Sequence, residues 1–176
     1  GRRLAVAMHG RSVRAIDERD FMAIVDMGFR ASIADPHERS RVPYERALRD
    51  RAFTRTLREA YGRTCALTGL RIENGGGWTE AQAAHIRSVA DQGPDSVRNG
   101  LLLSSTIHAL FDRGFLALQP YEETYKVLVA SAGIPDPLRL LLPRDGVLPI
   151  DRLPREKRDR PHPAFVDWHF QKTFKK

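Results

Sequence analysis

The chain has 176 residues, a hydrophobic content of 41% and a formal net charge of +7. This length suits one domain with a real hydrophobic core, and no apolar run approaches the roughly 18 residues of a membrane-spanning helix. The only cysteine, Cys65, excludes internal disulfides and a zinc site built from cysteines, as is typical of a cytoplasmic protein. The basic charge favours nucleic acid over a membrane surface as partner, with a codon bias towards arginine as the alternative explanation.

Residues 1–44 are predicted to be an N-terminal helical extension or linker. An acidic turn followed by apolar residues predicts a short helix over 17–28, and Pro36 and Pro43 indicate a loop after it. The chain begins with Gly1 rather than Met, which indicates a fragment of a longer protein. We therefore expect a recognition domain on the N-terminal side of this chain.

A longer helix is predicted from Pro43 to Tyr61, because proline suits a first turn and Gly62 suits a helix end. Its arginines indicate either a solvated basic face or a stripe that faces phosphates. Residues 63–70 predict a tight hairpin or knuckle, and residues 72–79, with three consecutive glycines, predict a loop.

The next segment predicts a strand, a loop, a second strand and a helix. A compact apolar run suits a buried strand at 81–86, and residues 101–103 suit the second strand. A serine before residue 106 can cap a helix over 106–112, which Gly114 would end.

The C-terminal part predicts a hairpin, an irregular stretch and a helix. Apolar runs at 115–118 and 125–130 indicate a β-hairpin. Residues 131–161 are rich in proline and are expected to wrap the surface. Aromatic residues in 163–174 indicate a terminal helix that docks on the body, in which His169 is expected to be structural.

Four polar residues of the strand–loop–strand–helix unit suggest chemistry: His85, Asn99, His108 and Asp112. His108 and Asp112 are four apart on a helix, so their side chains share one face, about 6 Å apart, and suit one divalent ion. Phosphodiester hydrolysis needs a base, a cation and a group that orients the base. Each residue alone has a simpler explanation, namely a packed histidine, a turn asparagine or a surface hydrogen bond. Their joint arrangement favours a nuclease site.

These residues lie in motifs that resemble the HNH endonucleases, in the order YGRTCALTG, AAHI, NGL and HALFDRG. The similarity is greatest to the HNH domain of bacterial restriction endonucleases, including modification-dependent ones. It implies an α+β fold with a ββα-metal (HNH) core of short antiparallel strands plus one helix, flanking N-terminal and C-terminal helices and an extra β-hairpin. Residues 45–130 would form the nuclease domain, and residues 131–176 the C-terminal wrap and docking helix.

The resemblance also implies roles for the four residues. His85 matches the general base, Asn99 the residue that braces the base and its loop, and His108 and Asp112 the metal ligands. The cofactor would be one divalent metal ion, with Mg²⁺ or Mn²⁺ favoured by the ligand types and Ni²⁺ or Zn²⁺ as alternatives. The substrate would be double-stranded DNA, cut to leave 5′-phosphate ends.

The chain departs from the family pattern at one position. Many HNH nucleases carry Asp or His immediately before the base as a further metal ligand, and this chain has Ala84. Glu80 and Asp95 are candidates for the missing ligand. Arg87 and Arg113 flank the site and are candidate nucleic-acid contacts, with solvated surface arginines as the alternative.

We therefore predict a metal-dependent DNA endonuclease, the cleavage module of a restriction-type enzyme, with modification dependence as an open option. Two alternatives stay open: a nucleic-acid-binding module with a degenerate site, and a toxin-type nuclease. A homodimer is an option because one site makes one nick, and the expected location is the cytoplasm without membrane contact.

Overall fold

The computed structural model of the chain describes Asp20 and residues 43–176. The short helix predicted over 17–28 lies outside the described residues apart from Asp20. The helices are α1 (Pro43–Ala60), α2 (Ser105–Asp112), α3 (Asp136–Arg139) and α4 (Pro163–Lys172), and the strands are β1 (Gln82–His85), β2 (Gly100–Leu103), β3 (Leu116–Tyr121) and β4 (Thr124–Val129). This mixture of helices and small antiparallel strand pairs confirms the predicted α+β fold.

Strands β1 and β2 form an antiparallel pair, in which His85 lies opposite Gly100 and Ala84 lies opposite Leu101. All four residues of β2 are buried, which explains why its sequence is an unbroken apolar run. Helix α2 begins one residue after Ser104, and the backbone N–H of Ser105 donates to the Glu80 carboxylate at 2.7 Å. The two strands and α2 together form the predicted ββα unit.

Helix α1 packs against this strand pair through Phe53 and Leu57, and Tyr61 directly after the helix continues their four-residue spacing. The Tyr61 hydroxyl donates to the Gly100 carbonyl at 3.2 Å, and burial raises the pKa of Tyr61. A Cβ atom on Gly100 would lie 2.6 Å from a Leu57 methyl group, so glycine is needed for α1 to approach β2 this closely. Helix α1 therefore packs against the end of β1 that carries His85.

The segment between α1 and β1 forms the knuckle that the sequence predicts as one of two alternatives, without the short strands of a hairpin. Residues 63–70 form tight turns rather than a hairpin. The N–H of Cys65 donates to the Leu70 carbonyl, and the N–H of Ala66 donates to Leu102 in β2, both at 2.8 Å. The backbone groups of this knuckle are thus satisfied within the turn and by β2, without a second strand. Cys65 is buried.

The C-terminal elements close the fold. Strands β3 and β4 form the predicted hairpin, but its turn spans only Glu122 and Glu123 because pairing continues to the Tyr121–Thr124 pair. Helix α4 packs on β3, and Val166 of α4 belongs to the same hydrophobic core as Phe53. No helix in the described ranges combines the length and the hydropathy that crossing a membrane requires.

Candidate functional site

Three of the four residues that the sequence predicts as a site line one cleft. The cleft has a volume of about 510 Å³, and its walls include His85 from β1, His108 and Asp112 from α2, and residues of α4. The other lining residues are Ala83, Ile86, Ser88, Val89, Asp91, Trp168, His169 and Thr173. Strand β1 pairs antiparallel with β2, and α2 follows β2 directly. This arrangement brings His85 to the same opening as His108 and Asp112, which lie 23 and 27 residues later in the chain.

The imidazole of His85 is held on two sides. Its Nε2–H donates to the Asp95 carboxylate at 2.8 Å, and its ring stacks on Phe53 of α1 with 4.1 Å between centroids and 16° between planes. The side chains of His85 and Asp95 are only 19% and 15% exposed, so solvent competes weakly for this hydrogen bond. With Nε2 protonated towards Asp95, the lone pair of the imidazole resides on Nδ1.

Asn99 does not line the cleft and instead fixes the loop that carries Asp95. It is fully buried, its amide donates to the carbonyls of Arg87 and Pro94, and its Oδ1 accepts from the N–H of Arg87, all at 2.9 Å. Gly93 permits this arrangement, because a Cβ there would lie 1.8 Å from the Arg87 carbonyl oxygen. Since Pro94 precedes Asp95, the position of the Asp95 carboxylate depends on Asn99.

The two predicted metal ligands face each other. Nε2 of His108 lies 3.3 Å from Oδ2 of Asp112, and Nδ1–H of His108 donates to Oε1 of Gln82 in β1 at 3.1 Å. In the tautomer that donates from Nδ1 to Gln82, the lone pair of His108 lies on Nε2, on the side of Asp112. In this tautomer the imidazole and the neighbouring carboxylate can hold a cation together.

The residue before His85 does not reach the cleft. Ala84 is fully buried in the core opposite Leu101, whereas Ala83 lines the cleft. The two candidates for a replacement ligand have other contacts: Glu80 accepts from the N–H of Ser105, and Asp95 accepts from His85.

The two predicted nucleic-acid contacts lie near the cleft but are not among its lining residues. The Arg87 guanidinium lies over the Trp168 ring, 5.5 Å from its centroid, and its Nε donates to the Asp91 carbonyl at 2.8 Å. Arg113 follows α2 directly and donates to the Ala109 carbonyl at 3.2 Å. Trp168 and Asp91 line the cleft themselves, so the Arg87 side chain lies at its edge.

Helix α4 contacts α2 through His169. His169 is buried, stacks on Phe111 with 3.8 Å between ring centroids and donates from Nε2 to the Phe111 carbonyl at 3.1 Å. Burial lowers the pKa of His169 to about 4, against a smaller opposing effect of that hydrogen bond. Beyond α4, the N–H of Lys175 donates to the Gly114 carbonyl at the end of α2, at 2.9 Å. The structural role expected for His169 is therefore confirmed.

Sequence reasoning missed the side chains that orient the site. The sequence predicts Asp95 as a candidate metal ligand, whereas the structure pairs it with His85. Gln82 and Phe53 carry a partial signal, because Gln82 is a polar residue in an apolar strand and Phe53 lies on the apolar face of α1. Their contacts to His108 and His85 depend on the packing of separate elements, which spacing along the chain does not report.

Comparisons with known proteins show a family match and a similar fold. Residues 65–119 match the HNH_2 family model, which describes an HNH endonuclease, and this range contains His85, Asn99, His108 and Asp112. The solved structure of a modification-dependent TagI restriction endonuclease is similar to 68% of this chain, with a TM-score of 0.50 and 23% sequence identity. The similarity shows a common fold, and this chain spans 36% of the length of that one. None of the curated proteins compared with the chain matches it.

Proposed function

We propose that this chain, whose residues 65–119 match the family model of an HNH endonuclease, hydrolyses phosphodiester bonds of double-stranded DNA with one divalent metal ion. We further propose that it is the cleavage module of a restriction-type enzyme. The similar TagI structure is a modification-dependent restriction endonuclease, so a modified base in the target is part of the proposal. The net charge of +7 supports a polyanionic substrate through the release of counterions.

One observation carries the proposal: the oriented His85 opens into the same cleft as the His108–Asp112 pair. A histidine with one nitrogen bonded to a carboxylate and a lone pair on the other is equipped as a general base. The imidazole–carboxylate pair in the same cleft supplies the cation site that phosphodiester hydrolysis requires. Neither the oriented His85 nor the His108–Asp112 pair alone is specific for a nuclease.

The ligand set of His108 and Asp112 fits a hydrated Mg²⁺ or Mn²⁺ ion. Two octahedral ligands at about 2.1 Å from a metal lie about 3 Å apart, close to the 3.3 Å between His108 Nε2 and Asp112 Oδ2. Within residues 43–176 and Asp20, no group of three or more His, Cys, Asp or Glu side chains is arranged to hold a metal. The site therefore leaves several positions for water and phosphate oxygens, unlike a closed four-ligand zinc site.

The proposed reaction follows from the residue geometry. Nδ1 of His85 takes a proton from a water molecule as that water attacks phosphorus, and the bond from phosphorus to the 3′-oxygen breaks. The Asp95 carboxylate offsets the positive charge that the imidazole gains and keeps Nε2 protonated. His108 and Asp112 would hold the metal ion, which would supply the positive charge that stabilises the transition state. The leaving oxygen takes its proton from solvent. Asn99 is a positioning residue in this scheme.

The test is incubation of methylated and unmethylated supercoiled plasmid with Mg²⁺, Mn²⁺ or EDTA, with an RNA of matched sequence as a further substrate. We expect nicked and linear DNA with Mg²⁺ or Mn²⁺, none with EDTA, and faster cleavage of one methylation state. DNA binding without cleavage in every metal would contradict the proposal and leave the alternative of a binding module. Preferential cleavage of RNA would favour a toxin-type nuclease instead.

A further inference from the structure

An arginine-lined groove lies on the side of α1 that faces away from the cleft. The groove has a volume of about 610 Å³ and is separate from the cleft that contains His85. Arg51 and Arg55 lie two residues before and after Phe53, about 200° around the helix, so they point away from the His85 ring that Phe53 contacts. The lining residues are Asp50, Arg51, Thr54, Arg55, Arg58, Glu59, Arg63 and Gly77.

Two of the four arginines in this groove have no ion pair with the part of the chain that the structure describes. These are Arg51, which is exposed, and Arg58, whose Nε is buried without a hydrogen-bond partner. Arg55 pairs with Glu59 at 3.0 Å, but both side chains are about 60% exposed, and such pairs contribute little to stability. The groove therefore offers guanidinium groups that can exchange water or a weak ion pair for phosphate oxygens.

An exposed tryptophan lies beside the groove on a loop whose backbone is hydrogen-bonded. Trp78 directly follows Gly77 of the groove and is 53% exposed. The Asn74 side chain accepts from the backbone N–H groups of Gly76 and Trp78, at 2.9 and 3.2 Å. A bridge between Glu73 and Thr79 closes the loop. The Trp78 indole is thus exposed to solvent on a loop whose backbone is held by hydrogen bonds.

We propose that the groove and Trp78 together form a second nucleic-acid-binding surface, which contacts duplex DNA away from the bond that is cleaved. Arginines suit forked contacts to phosphates, and an exposed aromatic ring beside them can enter the minor groove of a duplex. The inference rests on the proposed function for the identity of the polymer. Binding in EDTA tests it separately, because no cleavage step is involved.

The test compares the affinity for a 40-bp duplex in EDTA, by fluorescence anisotropy, over a range of salt concentrations. The groove variant is Arg51→Glu/Arg58→Glu, and the matched control, with the same change in charge, is Arg144→Glu/Arg155→Glu at two exposed arginines elsewhere. We expect the groove variant to bind at least about tenfold more weakly than the control. Its slope of log K against log salt should fall by about 2, since each lost phosphate contact removes about 0.9.

Trp78 provides a direct readout at the surface. In a Trp168→Phe background, Trp78 is the only remaining tryptophan, since the chain has two. We expect duplex DNA in EDTA to change its fluorescence, and Trp78→Ala to weaken binding by about tenfold. An affinity and a salt slope equal to those of the control, with unchanged Trp78 fluorescence, would overturn the proposal and leave the groove to an acidic protein partner. Loss of cleavage alone, with these effects intact, would contradict only the proposed nuclease function.

Discussion

The carboxylate of Asp95 lies 2.8 Å from Nε2 of His85, although a loop of nine residues separates them in the chain. The loop reaches this position because Asn99 holds its two ends together through three hydrogen bonds to Arg87 and Pro94. Asn99 therefore positions Asp95, although Asn99 does not line the cleft. The bond from Asp95 to Nε2 of His85 leaves Nδ1 as the nitrogen that is available to a substrate.

The Asp95–His85 contact can be tested by Asp95→Asn. We expect kcat for plasmid cleavage to fall by about 10- to 100-fold, less than the 10²–10⁴-fold that a general base contributes, because the base remains but loses the charge that stabilises its protonated form. The affinity for DNA in EDTA should not change. Asp91→Asn, in the same cleft, is the control with the same change in charge, and an equal loss of kcat in both variants would show that Asp95 has no specific role.

Metal binding can be measured without cleavage through Trp168, which lines the same cleft as His108 and Asp112. In a Trp78→Phe background, we expect paramagnetic Mn²⁺ to quench Trp168 fluorescence with a saturable midpoint. His108→Ala should raise that midpoint strongly, and Gln82→Ala by about tenfold, because Gln82 orients the His108 ring. An exposed control, Asp151→Asn, should leave the midpoint unchanged. A midpoint that does not respond to His108→Ala removes His108 from the ligands.

Ala84 lies immediately before His85, where many HNH nucleases carry Asp or His, and the orientation of this strand gives a prediction. Ala84 is buried in the core, whereas Ala83 lines the cleft. Ala84→Asp should therefore destabilise the fold by several kcal/mol, since it buries an unpaired carboxylate. Ala83→Asp should fold with nearly the wild-type melting temperature and bind Mn²⁺ more tightly. The opposite ranking of the two variants in thermal melts would show that the strand is oriented differently.

Protonation of His169 should make stability depend on pH. Its pKa is about 4 in the folded protein and near 6.5 in the unfolded chain, because burial disfavours the charged imidazole. As the pH falls below 6.5, the unfolded chain binds the proton first. The free energy of unfolding therefore decreases until about pH 4, by roughly 3 kcal/mol at most.

The measurement is urea denaturation between pH 7 and pH 4 for the wild type and His169→Phe. Phenylalanine keeps the stacking on Phe111 but has no titrating group. Taking the difference in unfolding free energy between the two proteins cancels the contributions of the other titrating groups. We expect this difference to shift in favour of the variant as the pH falls. A constant difference over this range would show that His169 is not buried in its neutral form.

The sequence was sufficient for the elements that local patterns specify. The apolar run 101–103, the helix signal before Asp112 and the hairpin each appear close to the predicted bounds. For residues 63–70 the sequence left a hairpin and a knuckle open, and the structure has the knuckle without paired strands, because the backbone of Ala66 bonds to β2.

The contacts that make the site depend on tertiary packing and have no local signature. Phe53 lies 32 residues from His85, and His169 lies 58 residues from Phe111. A helical periodicity identifies Phe53 as a core residue without indicating which ring it contacts. The motif spacing finds the groups that would act on the substrate, and the structure adds the groups that hold them.

The most direct measurement is single-turnover cleavage of supercoiled plasmid by His85→Ala beside the wild type, in Mn²⁺ and in EDTA. We expect the rate to fall by at least about 10²-fold, with DNA affinity and melting temperature near those of the wild type, because only the base is removed. Cleavage by His85→Ala within about tenfold of the wild-type rate, or wild-type cleavage that persists in EDTA, would contradict the proposed mechanism.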